Sequence, residues 1–210
     1  MRFSTRLDPQ HIPDLFKLFT KPHPRYKVFR NKSLGAALIN LRSFADAQHY
    51  FASVNQKGYA GHKRRKARSR GYRLCEITRD AYAEQIHAIN ISSEMRQGRP
   101  MDPSYRVRQA QFDVRASDRC FGVMNASGEL VAYCYLGILG NFAAIHQLMG
   151  YKGHDGVMYF MLAEIIALLI TEGSMEFFMY DLMLGGSAGL RDFKRRVGFA
   201  PYRAKFSLHE

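Results

Sequence analysis

Three glycines at a spacing of three, Gly150, Gly153 and Gly156 in "QLMGYKGHDGV", stand directly before the most apolar run of the chain, "GVMYFMLAEIIALLI". Glycines at a helix entry let backbone N–H groups converge, and the helix N-terminus adds positive potential. The stretch can therefore hold a phosphate or another anion. His154 lies within it, and Asp155 beside it can cap the helix. A second Gly-rich turn, "LGGSAG", precedes the last helical stretch and adds Gly186 to the anion-binding candidates. Arg96 and Arg99 sit in "EMRQGRPM", a loop constrained by a glycine and a proline. Two fork-shaped guanidiniums there suit a carboxylate or a phosphate, or else remain solvated on a turn. Asp181 interrupts an apolar run, "FFMYDLM", so a structural role for it requires a partner.

The basic run "HKRRKARSR", His62 to Arg70, is the strongest compositional signal. The formal charge is +13 over 210 residues, and the whole excess lies in residues 1–118; the remainder carries as many acidic as basic side chains. Such a field attracts polyanions: nucleic acid, CoA phosphates or an anionic surface. Arg64, Arg65 and Arg68 are the candidate contacts, with Tyr59 and Tyr72 available to stack on bases. A solvated basic helix is the alternative. No helix-turn-helix, zinc or RNA-recognition signature accompanies the run.

A hydrophobic fraction of 47% with 23% charged residues suits one folded unit with a sizeable core. The most apolar run is shorter than the about 20 residues of a membrane span and contains Glu164, so it reads as a buried core helix. The N-terminus has no apolar run followed by a cleavage site. Three cysteines in strand-like contexts argue against disulfides or a metal cluster, and a reducing cytoplasm is expected.

Periodicity then supplies the elements that must position these residues. Helices are expected from Ser43 to about Val54, from about Gly61 to Arg70, from an Asp80 cap through Asn90, and over Pro103–Ala116. Strands are expected at Tyr72–Ile77, Cys120–Asn125, Leu130–Leu139, Phe142–Met149 and Met175–Met183, with "NASGE" as a hairpin turn. The closing "GLRDFKRRVGFAPYRAKFSL" places Leu190, Phe193 and Val197 on one helix face. It then alternates Tyr202, Ala204, Phe206 and Leu208 as a half-buried strand. Residues 1–71 read as a basic N-terminal extension, and 72–210 as an α/β domain forming one unit with it.

The order β, α, α, β, β, β, α, β, α, β from Tyr72, closed by "FKRRVGF" at Phe193–Phe199, resembles the GNAT acyltransferase superfamily. "HKRRKARSRGY" and "GLRDFKRRVGF" resemble its FemABX-like and BioF2-like branch more narrowly. The resemblance implies a mixed, mostly antiparallel sheet flanked by helices, and transfer of an acyl or aminoacyl group to an amine. Most CoA-using members carry Q/R-x-x-G-x-G/A at the long helix, and the glycine spacing here departs from that pattern. Two donors follow: acetyl-CoA or another acyl-CoA, and aminoacyl-tRNA, which FemABX-like members use. Lys194 stands where that branch carries a lysine, and the resemblance implies a cation for the oxyanion or a phosphate. Such transfer needs a base, with His146, His154, Asp155 and Asp181 as candidates. Tyr180 and Tyr202 are candidate acids for the leaving group. His146 falls on the strand where GNAT enzymes often place an acid or base; a buried, satisfied polar residue is its alternative. The acceptor is a small or polyanionic molecule, with tRNA or DNA as candidate partners and a nucleic-acid-binding or nucleic-acid-modifying protein as the second reading.

Overall fold

The computed structural model describes residues 1–210 apart from Lys57, Gln97, Gly98, Val114, His154 and Asp155, and only the backbone of Arg96 and Arg99. Seven strands make its central sheet: β2 (Leu34–Asn40), β3 (Arg73–Glu76), β6 (Asp118–Met124), β7 (Leu130–Ile138), β8 (Phe142–Gly150), β9 (Phe177–Leu182) and β10 (Ala200–Arg203). Their spatial order is β10-β2-β9-β8-β7-β6-β3. Every neighbouring pair is antiparallel except β8 and β9, which run parallel through Phe142–Phe177, Ala143–Phe178 and Ala144–Met179. A parallel pair needs a crossover, and α5 (Val157–Glu172) supplies it.

α5 is apolar on nearly all sides because it lies between two layers. The sheet covers one face, and α2 (Ala47–Gln56) and α3 (Tyr59–Ser69) cover another. Its one interior acid, Glu164, accepts from Arg64 of α3 at 2.8–2.9 Å. Gly173, at φ +67°, stops it. On the opposite face of the sheet, α1 (Ile12–Thr20) covers β2, β8 and β9 through Ile12, Phe19, Leu38, Phe142 and Met179. There α4 (Ala83–Ile91) covers β6, β7 and β8 through Ile86, Ile89, Leu130, Tyr133 and Met149. The two helices leave the ends of β8 and β9 uncovered between them.

Residues 1–71 are woven into this unit. β2 carries alternating faces: Ala37 and Ile39 join the α5 core, while Ala36 and Leu38 join the α1 core. β2 therefore sits hydrogen-bonded between β9 and the edge strand β10, an interior strand one place from the edge of the sheet. The short strand β1 (Arg2–Ser4) pairs in parallel with β11 (Ser207–His209), so the two chain ends close against each other. The expected single closing strand is thus two. β10 leaves the sheet after Arg203, and Ala204 and Phe206 turn into the Phe3–Phe19–Phe142 cluster, where ring centres lie 5.0–6.4 Å apart.

The helix expected over Pro103–Ala116 is a single 3-10 turn, Pro103–Arg106, started by the Asp102 side chain. Beyond it the backbone finds partners outside its own segment. Phe112 N–H donates to Asp80 at 2.8 Å, and Asp113 C=O accepts from Arg79 at 2.6 Å. Bonds of that kind replace the i to i−4 ladder. The expected loop Ser92–Pro103 contains a minimal hairpin, β4 (Met95–Arg96) with β5 (Arg99–Pro100). No helix among the described residues is long and apolar enough to cross a membrane.

Candidate functional site

The site arises from two β-bulges. Tyr135 pairs with Gln147 but Leu136 pairs with Ile145, so His146 is an extra residue on β8. Ala36 pairs with Leu182 but Leu38 pairs with Met179, so Tyr180 and Asp181 together face one residue of β2. Asp181 holds the left-handed conformation that this bulge demands, at φ +50°. Both bulges lie directly after the last β8–β9 pair, and bulged strands bend. The parallel pair splays there. An open cleft of about 1310 Å³ passes through the sheet at the splay.

One half of the cleft faces α5 and the closing helix α6 (Ala188–Val197). Gly153, Gly156, Lys152, Met158, Tyr159 and Phe193 line it. The first N–H groups of α5 have no helical acceptor and point their dipoles toward this half. Around its rim, Lys63 and Arg196 lie over the Tyr59 ring at 5.1 and 4.5 Å, and Tyr159 meets Tyr59 and Phe193 edge-on. The other half lies between α1 and α4. Leu15, Leu18, Phe19, Met95, Met101 and Met179 make it apolar, with His146, Asp181 and Lys32 as polar groups.

His146 stands at the junction. A regular strand would send His146 and Gln147 to opposite faces; the bulge puts both on the α4 face. There His146 lies 5.4 Å from the Tyr135 ring, and Gln147 lines a small pocket with Tyr133 and His87. Gly137 on β7 makes room, since a Cβ there would strike His146 Nε2. Nε2 is buried, has no hydrogen-bond partner among the described residues, and faces Asp118 Oδ1 at 3.9 Å. The Asp118 side chain is 5% exposed and accepts a hydrogen bond from the Tyr135 hydroxyl. Burial pushes the His146 imidazole below its ordinary value. Asp118 opposes that shift, and Arg115 and Arg79 reinforce it. The ring is therefore neutral near pH 7. Neither Asp118 nor Tyr135 was legible as a partner of His146 in the sequence, because only the β6-β7-β8 meander joins them.

Lys194 is not where periodicity puts it. Lys194 and Val197 take the buried face of α6, with Leu190 and Phe193 only partly covered, and Lys194 is 2% exposed. Nζ donates to Tyr180 C=O at 2.7 Å and Leu182 C=O at 2.8 Å, and it lies 4.3 Å from the Tyr180 ring. Desolvation lowers its pKa to about 8; Asp181 raises it and Lys32 lowers it further. The lysine thus clamps the bulged end of β9. Asp181 finds the partner its apolar context required: an ion pair with Lys32, on the cleft wall. Tyr180 lines the cleft, and burial pushes its phenol above the ordinary value, so it stays protonated. Tyr202 is an exposed residue of β10 and lines none of the cleft.

The glycines divide by function. Gly153, at φ +94°, would carry a Cβ with nothing within 4 Å and stands open on the cleft, whereas Gly156, at φ +88°, would drive a Cβ to 2.8 Å from Lys63 C=O. Gly150 is a packing glycine, since a Cβ on it would meet Met158 Sδ at 2.8 Å. Gly186 lies in the turn before α6, away from the cleft, where its C=O accepts from Arg191 at 2.6 Å. We expect Gly156→Ala to cost about 2–3 kcal/mol of stability and Gly153→Ala about 1, from the left-handed strain plus, at 156, the collision. Thermal unfolding of the two variants measures the difference.

Arg64 is also corrected. It is buried, ion-paired with Glu164 and stacked 3.5 Å over Phe51, so it holds α3 to α5 and presents nothing to a polyanion. Arg65 and Arg68 are exposed on the outer face, Arg65 donating to Asn55 at 2.7 Å. Met95 and Pro100 bring the β4–β5 hairpin to the cleft, with the backbone of Arg96 and Arg99 between them; their side chains, and His154 and Asp155, lie outside the described residues. Among the described residues no group of three or more His, Cys, Asp or Glu could hold a metal ion.

No family model matches the sequence, and no curated protein does. Solved structures do. FemX superposes with a TM-score of 0.60 at 10% identity, over 80% of this chain and 59% of FemX. The C-terminal domain of a putative lysylphosphatidylglycerol synthetase from Agrobacterium fabrum gives 0.56 at 15%, over 81% and 58%. L-PGS from Bacillus licheniformis gives 0.52 at 14%, over 84% and 62%. The chain spans about three fifths of the length of each. At these identities the likeness lies in the fold: a mostly antiparallel sheet, splayed at its one parallel pair and flanked by helices, which is the GNAT-like fold.

Proposed function

We propose that this protein is an acyltransferase that moves an acyl or aminoacyl group from a CoA thioester or an aminoacyl-tRNA to an amine. The observation that carries the reading is the cleft through the sheet. It has a helix N-terminus and a basic rim on one side, an apolar pocket on the other, and His146 between them. The donor's phosphates belong at Lys152, Gly153 and the first turn of α5, the acceptor between α1 and α4. The acceptor nitrogen attacks the acyl carbon directly and gives its proton to His146. The leaving sulfur or ribose oxygen takes a proton from Tyr180 as the bond to the acyl carbon breaks. Among the described residues no cysteine lines the cleft, which favours direct attack over a covalent enzyme intermediate. Single-turnover transfer with a panel of acyl-CoAs and aminoacyl-tRNAs tests the reading; no donor consumed by the wild type overturns it.

The second reading, nucleic-acid binding or modification on this fold, rests on the exposed face of α3. Arg65→Ser with Arg68→Ser is expected to weaken tRNA or duplex DNA binding and flatten its salt dependence by about two phosphate contacts. Arg64→Ser is expected instead to lower stability. Filter binding across a salt series checks the first and thermal melting the second.

A further inference from the structure

Residues 15–45 contain no Asp or Glu, and Lys21, Arg25, Lys27 and Arg30 fall within ten positions of one another. The segment between α1 and β2 is a built hairpin. Pro22 bridges to Arg30, Asn31 N–H donates to Lys21 C=O at 2.8 Å, and Lys32 N–H donates to Phe19 C=O at 3.0 Å. Inside it His23, Tyr26 and Phe29 pack on one another with ring centres 5.0–5.9 Å apart, and His23 Nδ1 accepts from the N–H groups of Arg25 and Tyr26. That aromatic base leaves Val28 outward at 93% exposure and Tyr26 half exposed. None of the four cations is in an ion pair among the described residues. The hairpin stands on the last turn of α1, whose Leu18 and Phe19 line the acceptor half of the cleft.

We infer that residues 21–31 dock the protein on an anionic lipid bilayer, with Val28 and the Tyr26 ring entering the interface and the four cations at the headgroups. Cations without an ion pair among the described residues, around an apolar tip held on a hairpin, match a surface that is negative outside and apolar beneath. A nucleic acid would pair with the cations but gains nothing from an exposed valine. The Tyr26 ring already stacks on His23 and Phe29 and carries Arg25 at 5.3 Å, so its faces are taken for base stacking while half of its surface stays exposed to an interface. The placement sets the cleft mouth at the membrane surface.

The chain has no tryptophan, so Val28→Trp supplies a single indole probe at the tip. With vesicles of phosphatidylcholine and phosphatidylserine its emission should shift to the blue; with phosphatidylcholine alone, or with tRNA, it should stay water-like. The triple variant Arg25→Ser, Lys27→Ser, Arg30→Ser should lose about 100-fold in affinity for the anionic vesicles. Arg65→Ser with Arg68→Ser on α3 should lose little. Unshifted emission in the sedimented complex, or vesicle binding that survives the triple variant and is lost with the α3 pair, overturns the inference. Loss of tRNA binding but not of vesicle binding in the triple variant overturns it in favour of nucleic acid.

Discussion

Lys194→Ala should cost about 3–5 kcal/mol of stability, the largest loss we expect from any single change at the site. The substitution leaves Tyr180 C=O and Leu182 C=O without their donor in a buried setting, and it opens a cavity under β9. Relief from burying a cation offsets part of that. The bulge at Tyr180 and Asp181 should relax with it, so the splay and the cleft suffer together. Lys194→Met keeps the apolar stem and removes only the charge and its two bonds. Its pH dependence separates the contributions. The folded pKa, about 8, is below that of an ordinary lysine, so between the two the unfolded chain binds more protons and this group's share of stability rises with pH. Below about 8 the desolvation cost of the cation applies in full. The gap between wild type and Lys194→Met should therefore change from pH 8 to 10 and be flat from pH 6 to 8. Thermal melts of both proteins across that range read it. A wild type and a Lys194→Ala variant that melt together would remove the clamp from this account.

His146→Gln should lower single-turnover transfer by about 100- to 1,000-fold, with donor binding nearly unchanged, because a base acts in the chemical step. The acid limb of the wild-type rate profile should lie below the ordinary histidine range, since burial disfavours the imidazolium. Asp118 faces the ring from β6, Tyr135 from β7, Arg115 from the segment before β6, and Arg79 from the 3-10 turn before α4. Of these only Asp118 favours the protonated ring. Asp118→Asn should thus move the acid limb to lower pH while slowing the plateau, and Arg79→Met should move it to higher pH. A purely structural carboxylate would change the melting temperature and leave the limb in place. If His146→Gln matches the wild type in rate, the base lies elsewhere on the cleft wall, with Asp181 as the next group to replace.

Local pattern determined a good deal by itself. The apolar α5 with its glycine entry, the meander of β6, β7 and β8, and the α6 helix stopped by Gly198 all repeat over a few residues at a helix or strand period. Their order was enough for the GNAT-like fold. Three decisions were made only in three dimensions. β2 became an interior strand, covered on both faces, because those two apolar faces met two different cores, which no window of the sequence contains. Lys194 and Arg64 became interior cations because their acceptors, the β9 carbonyls and Glu164, come from other elements; a helix wheel sorts charged residues outward regardless of what waits opposite. His146 reached the cleft beside Asp118 because one inserted residue on β8 reversed the strand's alternation, and a bulge is a property of register between two strands, not of either alone.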